Sequence, residues 1–430
     1  MTRPLPKYMA VKSSILVSCT ILFVCGAASS SPLEIITRLQ QADSESRLKA
    51  IEDVRQLKDP LPREAAVILA EYLKDPDTRV LLGALELLER MGPDASIAVF
   101  ALVDLLKGDP IRYVYSSFEG IGLDIHGPAL RVLASIGPAA KDAVPTVLDV
   151  FNKHKAPKDA SDVGRRDLAL EVLAKIGPNA ADAVPVLIDY IKDTSPLEQW
   201  FHSSPSLKAM PFIPVFRVFQ SLGPSANAAL PALKQYTELS HSGAVRYEAL
   251  KAIVAIDPRS PDLYPIALRS LSRVTRPSDK EDFELALELV RKQSSLSRKE
   301  IEMTVEFLHH ITEERKGNVF TNELVNDVLC DVFVRHKDLA GGAVPVLAKI
   351  VEYYPSQGAV SGLPKILETL GALGPQADAA VPAIKKKVLD PWFAIEGYRE
   401  AGVEALKQIN TPAARAALEE YEVKKKTNFW

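Results

Sequence analysis

The sequence predicts an all-α fold: an α-solenoid, or superhelix, of about ten stacked helical pairs. Three observations predict it. A Gly-Pro pair recurs along the chain, an apolar stripe at helical spacing precedes each copy, and an Ala-Val-Pro run follows. The 430 residues, 47% of them hydrophobic, can bury a large core. A single compact core stops growing at roughly 250–300 residues, so a chain this long folds as several domains or as one elongated array.

The punctuation appears as Gly137-Pro138 with Ala143-Val144-Pro145, and as Gly177-Pro178 with Ala183-Val184-Pro185. It returns as Gly223-Pro224 with Ala229-Leu230-Pro231, and as Gly374-Pro375 with Ala380-Val381-Pro382. Degenerate copies are Met91-Gly92-Pro93, Ile256-Asp257-Pro258 and Ile409-Asn410-Thr411-Pro412. One, four and seven residues before the Gly or its substitute, every copy is apolar: Ile136, Leu133 and Leu130, for example, or Leu222, Phe219 and Phe216. Steps of three residues place them on one helical stripe. The residue eight back is often small (Ala84, Ala129, Ala169, Ala249, Gly402), which lets a neighbouring helix come close. Ala50, Ile51, Val54 and Leu57 continue the register into a first copy.

Gly tolerates the left-handed conformation that ends a helix, and Pro cannot continue one. The later Pro suits the first turn of the next helix, where its missing N–H costs nothing. Adjacent recognised copies lie 34 to 46 residues apart, and the 117 residues between 257 and 374 leave room for three more units. The phrase Arg166-x-x-Ala169-Leu170-x-x-Leu173-x-x-Ile176-Gly177-Pro178-x-Ala180-x-x-Ala183-Val184-Pro185-x-Leu187 resembles a HEAT repeat. The resemblance is to the bacterial type also found in phycobilisome-lyase-like proteins. It covers about residues 32–430, weakly over 259–340. It implies a scaffold that binds protein partners. The alternative it implies is a lyase-like enzyme acting in the groove.

Insertions in repeat arrays map to loops on one face, often the binding face. Here each insertion falls between the first and second helix of its unit, so all project from one edge. Residues 108–126 carry Arg112, Tyr113, Tyr115, Phe118 and His126, and residues 194–211 carry Trp200, Phe201 and His202. Residues 155–164 and 353–361 are the smaller two. Trp, Tyr and Arg are enriched at binding hot spots, so these eight residues are the candidate contact set. The opposing expectation is that the aromatics fold back over neighbouring helix ends. Arg79, Arg165, Arg166, Arg246 and Arg399 recur before the stripes and are expected to pair with acids of the adjacent unit. Lys424, Lys425 and Lys426 complement the dipole of a last helix.

The sequence contains none of the G-x-x-x-x-G-K-[ST], H-E-x-x-H and G-x-S-x-G motifs. No histidine has metal-ligand spacing, and no catalytic residue, metal or cofactor is expected. His126 with Asp124 and His202 with Glu198 are the only loop-borne acid–base candidates. The chain also lacks the His-Glu dipeptides used by di-iron hydroxylases of the resembled fold.

The N-terminus reads as a targeting segment. Arg3, Lys7 and Lys12 precede an apolar run over residues 15–24, and Gly26 and Ala28 supply small exit positions. The run is shorter than the ~20 residues of a membrane span. The expected organisation is a signal peptide over 1–28 and a repeat array over 29–430, exported to the periplasm or outside the cell. An uncleaved anchor is the alternative, and lipidation at Cys19 ranks below secretion. Loss of residues 1–28 moves the net charge from −3 to −6, which disfavours nucleic acid as a partner. Cys330 would then be the remaining cysteine, set in an apolar helical pattern. Export predicts that N-terminal sequencing of the mature protein begins at Ser29; a start at Met1 in the exported fraction would establish the anchor.

Overall fold

The structure, a computed structural model, describes residues 37, 39–40, 43–57, 60–116, 119–158, 160–193, 210–238, 241–271, 280–314, 323–353, 362–389 and 396–426. The expected signal peptide lies outside these residues. The described elements are twenty α-helices and one β-hairpin. The helices form ten pairs: α1 (Ser44–Arg55) with α2 (Ala65–Tyr72), α3 (Thr78–Met91) with α4 (Val99–Lys107), α5 (His126–Ile136) with α6 (Val144–His154), α7 (Ala160–Ile176) with α8 (Val184–Lys192), and α9 (Ile213–Leu222) with α10 (Leu230–Gln235). They continue as α11 (Gly243–Ile256) with α12 (Leu263–Leu271), α13 (Lys280–Lys292) with α14 (Arg298–Glu314), α15 (Glu323–Arg335) with α16 (Val344–Tyr353), α17 (Leu363–Ala372) with α18 (Val381–Lys387), and α19 (Glu396–Ile409) with α20 (Pro412–Lys426). The odd-numbered helices stack on one another from α1 to α19. The chain is thus an α-solenoid. Among the described residues the one strand pair, β1 (Ile111–Ser116) with β2 (Glu119–Asp124), is local to one connection.

The apolar stripe is buried as its spacing requires. Ile136, Leu133 and Leu130 are at most 1% exposed, as are Leu222, Phe219 and Phe216. Among the twenty-one stripe residues Val403 alone is half-buried. The position five before the Gly is buried as well (Leu87, Val132, Val172, Val218, Ala252, Thr369, Ala405), because each odd helix is enclosed by its neighbours on both sides as well as by its partner. The small residue eight back is needed for helix approach: a Cβ at Gly402 would come within 2.6 Å of Val388 Cγ1.

The helix stop differs from the expected left-handed cap. Gly92, Gly137 and Gly223 have φ 57°, 68° and 56°, but ψ is −130°, −134° and −136°. A left-handed residue has ψ near +47°. This more extended positive-φ conformation is one that only Gly adopts freely. It leads into a seven-residue 3₁₀ linker such as Gly137–Ala143, whose second residue is Pro. The linker alanines three and six residues after the Gly, including Ala140, Ala143, Ala180 and Ala183, are fully buried. Successive linkers from Gly92 to Ala229 stack on each other.

One copy escaped the sequence reading. Ala340–Ala343 forms a short 3₁₀ turn before Val344-Pro345, with Lys337-Asp338 in place of Gly-Pro. Cys330 and Phe333 occupy its stripe. His336 fills the place of the last aliphatic residue, its Nδ1 donating to Val332 O at 2.9 Å and its Nε2 accepting from Leu296 N at 3.0 Å. The Ala343-Val344-Pro345 run was the visible signal.

Polar contacts tie successive pairs. Arg246 Nε reaches Asp282 Oδ2 at 2.9 Å with both side chains at most 2% exposed, joining α11 to α13. Arg217 and Gln220 of α9 hold Glu248 of α11 at 2.9 and 2.8 Å. The other recurring arginines divide differently: Arg166 pairs with its neighbour Asp167, and Arg79 with Asp77 at its own helix start.

Ile176 is fully buried and Lys175 exposed. Ile176→Ala should cost about 2–5 kcal/mol, and Lys175→Ala less than about 0.5 kcal/mol, measured by urea unfolding. Equal small losses would refute the helix face assigned here.

Candidate functional site

The two edges of the solenoid differ in kind. The 3₁₀ linkers line one edge. The connections from each even helix to the next odd helix, which are the first and second helices of a sequence unit ending at Gly-Pro, leave and rejoin the array at the other, and the described residues of the insertions at 108–126 and 155–164 fall there. The first insertion is a β-hairpin and not an irregular loop. Its strands pair antiparallel, with Arg112 opposite Leu123, Tyr113 opposite Gly122 and Tyr115 opposite Gly120. Val, Ile and Tyr in β1 favour a strand, and β1 lies against α3. Arg112, Tyr113 and Tyr115 are therefore carried on a hydrogen-bonded ribbon. Phe118, Trp200, Phe201 and His202 lie outside the described residues.

His126 is the first residue of α5 and is 4% exposed. Its imidazole lies inside the repeat, away from solvent. Asp124 accepts from the backbone N–H of His126 and Gly127 at 3.2 and 3.3 Å, so it caps α5 from just outside the helix. Arg165 Nη2 also reaches Asp124, at 3.4 Å, and Arg165 Nη1 lies 3.6 Å from Asp162. Asp162 in turn accepts from Lys158 N at 3.0 Å and faces His154 Nδ1 at 2.7 Å. One arginine thus links the foot of the hairpin to the second insertion. Burial pushes the His126 pKa down, Asp124 opposes that shift, and Arg165 adds to it. The imidazole is thus enclosed within the repeat, and the carboxylate beside it is engaged in capping. Cys330 is 1% exposed, and burial raises its thiol to about 12, which leaves it inert. Among the described residues no three His, Cys, Asp or Glu side chains converge to hold a metal, and no helix is long and apolar enough to cross a membrane.

The structure also exposes residues that the sequence reading passed over. Val67, Ile97 and Phe100 are 51%, 60% and 70% exposed, on α2, the following linker and α4. Val67 also lines a cleft of about 600 Å³, together with Leu39, Arg47, Glu71, Tyr72 and Asp75 among others. At the other end a cleft of about 390 Å³ lies between α18 and α20, lined by Lys385, Lys386, Leu389, Tyr421 and Lys424 among others. The signal was available in the sequence. Phe100 stands where other repeats have the Pro of Ala-Val-Pro.

No protein-family model matches this sequence, and no curated protein matches it either. Similar solved structures are helical-repeat solenoids. An engineered protein of the Northeast Structural Genomics Consortium is 18% identical, with 91% of this chain and 99% of that chain covered and a TM-score of 0.42. Yeast importin-β, Kap95p, is 12% identical, with 90% of this chain and 54% of that chain covered and a TM-score of 0.43. Kap121p, solved bound to Nup53p, is 12% identical, with 91% and 42% covered and a TM-score of 0.37. This chain therefore spans about half the length of Kap95p and of Kap121p.

The buried histidines make stability pH-dependent. His126 and His241 both have pKa values lowered from 6.5, first by burial. The unfolded chain binds more protons between the lowered values and 6.5, so stability falls as pH drops through that window. His126→Gln should flatten this part of the Tm-against-pH curve between about pH 7 and 5; an unchanged slope would mean that His126 binds protons alike in the folded and unfolded chain.

Proposed function

We propose that this protein is an exported HEAT-type scaffold that binds another protein and performs no chemistry of its own. One observation carries the reading. The two longest connections, from α4 to α5 and from α8 to α9, fall on one edge of a solenoid whose opposite edge carries short connections, four of them the stacked seven-residue 3₁₀ linkers between Gly92 and Ala229. A rigid array with one variable edge can present contact residues without disturbing its core. The contact set on that edge is Arg112, Tyr113, Tyr115, Phe118, Trp200, Phe201 and His202. His126, buried at the start of α5, is not part of it. A β-ribbon is a stiff carrier for aromatic anchors, which lowers the entropy lost on binding.

Export is supported by the basic, apolar and small-residue order of residues 1–28. The Gly-Pro and Ala-Val-Pro phrasing favours the bacterial kind of HEAT repeat. The groove-enzyme alternative has no observation in its favour.

The test is affinity capture from the native compartment with wild type and a Tyr113→Ala, Tyr115→Ala, Trp200→Ala, Phe201→Ala variant. Loss of specific partners with an unchanged Tm is the expected result. Identical partner sets would refute the contact edge.

A further inference from the structure

We propose that the even-helix face of the first two pairs, α2 and α4, docks a cationic amphipathic segment of a partner protein. This rests on the protein-binding reading and names the chemistry of one partner element.

The burial pattern sets the register of the even helices. Ala65-Ala66-Val67 aligns with Ala98-Val99-Phe100, Ala143-Val144-Pro145 and Ala183-Val184-Pro185: two buried residues, then an exposed one. The exposed position is Pro145, Pro185, Pro231, Pro345 and Pro382 in five later pairs. Only a short ring is presented there, and its fixed φ suits the first helical turn. In the first two pairs it is Val67, 51% exposed, and Phe100, 70% exposed. Three residues before the Pro, the linkers of pairs three and four carry the exposed acids Asp142 and Asp182, whereas the second pair carries Ile97, 60% exposed. No helix-propensity or core-packing requirement explains large apolar groups at positions filled elsewhere by Pro and Asp. Because α2 and α4 are adjacent, Val67 and Phe100 lie about one helix spacing apart, roughly 8–10 Å. With Ile97 they form one apolar patch, and Val67 continues into the cleft of about 600 Å³ beside Tyr72 and Leu39.

Charge selects the occupant. Four residues beyond the Pro position stand the exposed acids Glu71, Asp104, Asp149 and Asp189 in the first four pairs and the exposed Gln235 in the fifth, whereas the eighth and ninth carry Lys349, half-buried and paired with Glu313, and the exposed Lys386. Along this one column the sign reverses from the N-terminal to the C-terminal half. The apolar patch therefore sits beside the acidic half. A segment with an apolar stripe flanked by Lys or Arg would cover Val67, Ile97 and Phe100 while setting its cations against Glu71 and Asp104. An anionic segment would meet repulsion there.

The probe is a fluorescein-labelled amphipathic peptide of Lys and Leu, with a Glu and Leu peptide of the same pattern as control, followed by anisotropy. The first variant combines Phe100→Pro, which restores the repeat motif, with Val67→Ser; the second combines Glu71→Lys with Asp104→Lys. Circular dichroism and Tm confirm that both fold. The expected result is salt-sensitive binding of the Lys peptide, weakened about tenfold or more by either variant, and no binding of the Glu peptide. Equal binding of the two peptides, or Lys-peptide binding unchanged in both variants, overturns the proposal. So does self-association of the wild type that Phe100→Pro abolishes, because a second copy would then cover the patch. Native partners captured equally by wild type and Phe100→Pro, but lost from the hairpin variant, would sink this site and leave the scaffold reading standing.

Discussion

The repeat depends on how one glycine meets the next pair. A Cβ at Gly137 would sit 3.6 Å from Lys175 O, at Gly177 3.6 Å from Ser221 O, and at Gly223 3.6 Å from Ala255 O. Each glycine is thus laid against the last turn of the following odd helix. Its positive φ turns the chain at that point, and the Pro after it starts the 3₁₀ linker that delivers the even helix. Distance and direction between the two helices of a pair follow from that linker. So does the spacing between pairs, because the buried linker alanines let successive linkers stack. Where the glycine is replaced the device changes locally. Asp257 ends α11 at φ −139°, and Asn410 keeps a positive φ of 51°.

Fixing one edge frees the other. Once the linker and stripe have set the stack, the connection from an even helix to the next odd helix has only to span a constant gap. Its length can vary without disturbing the core, since loop closure costs grow slowly with length. The hairpin at 111–124 uses that freedom, and its foot is secured by Asp124 on the α5 N-terminus and by Arg165. The core itself forms two clusters that share α12, Leu263 and Ile266 belonging to one and Tyr264 and Ala267 to the other. The buried Arg246–Asp282 pair crosses from α11 to α13 beside that boundary. Breaking such a pair from one side leaves a buried charge uncompensated.

Groups able to do chemistry are mostly spent on structure. His126 and Cys330 are enclosed, His336 bridges Val332 and Leu296, and Asp124 and Asp162 cap and pair. Among the described residues the even-helix column carries acids in the N-terminal pairs and lysines in the eighth and ninth, and large apolar side chains collect at its acidic end.

The sequence by itself determined the fold class, the pair count, the buried stripe and the single edge that collects the insertions. Gly, Pro and apolar spacing act through local backbone sterics and helix periodicity, and these are written residue by residue. Tertiary structure decided the rest. Gly92, Gly137 and Gly223 leave the left-handed region where the chain enters a 3₁₀ linker whose alanines are buried in the core. Residues 111–124 pair as strands because α3 supplies a surface to lie on. His126 turns inward because the helix it begins is packed on both sides. Phe100 was legible as a departure from the repeat, but its exposure was not. Which face of an even helix is left uncovered depends on how consecutive pairs stack, and that is set by contacts far apart in the chain.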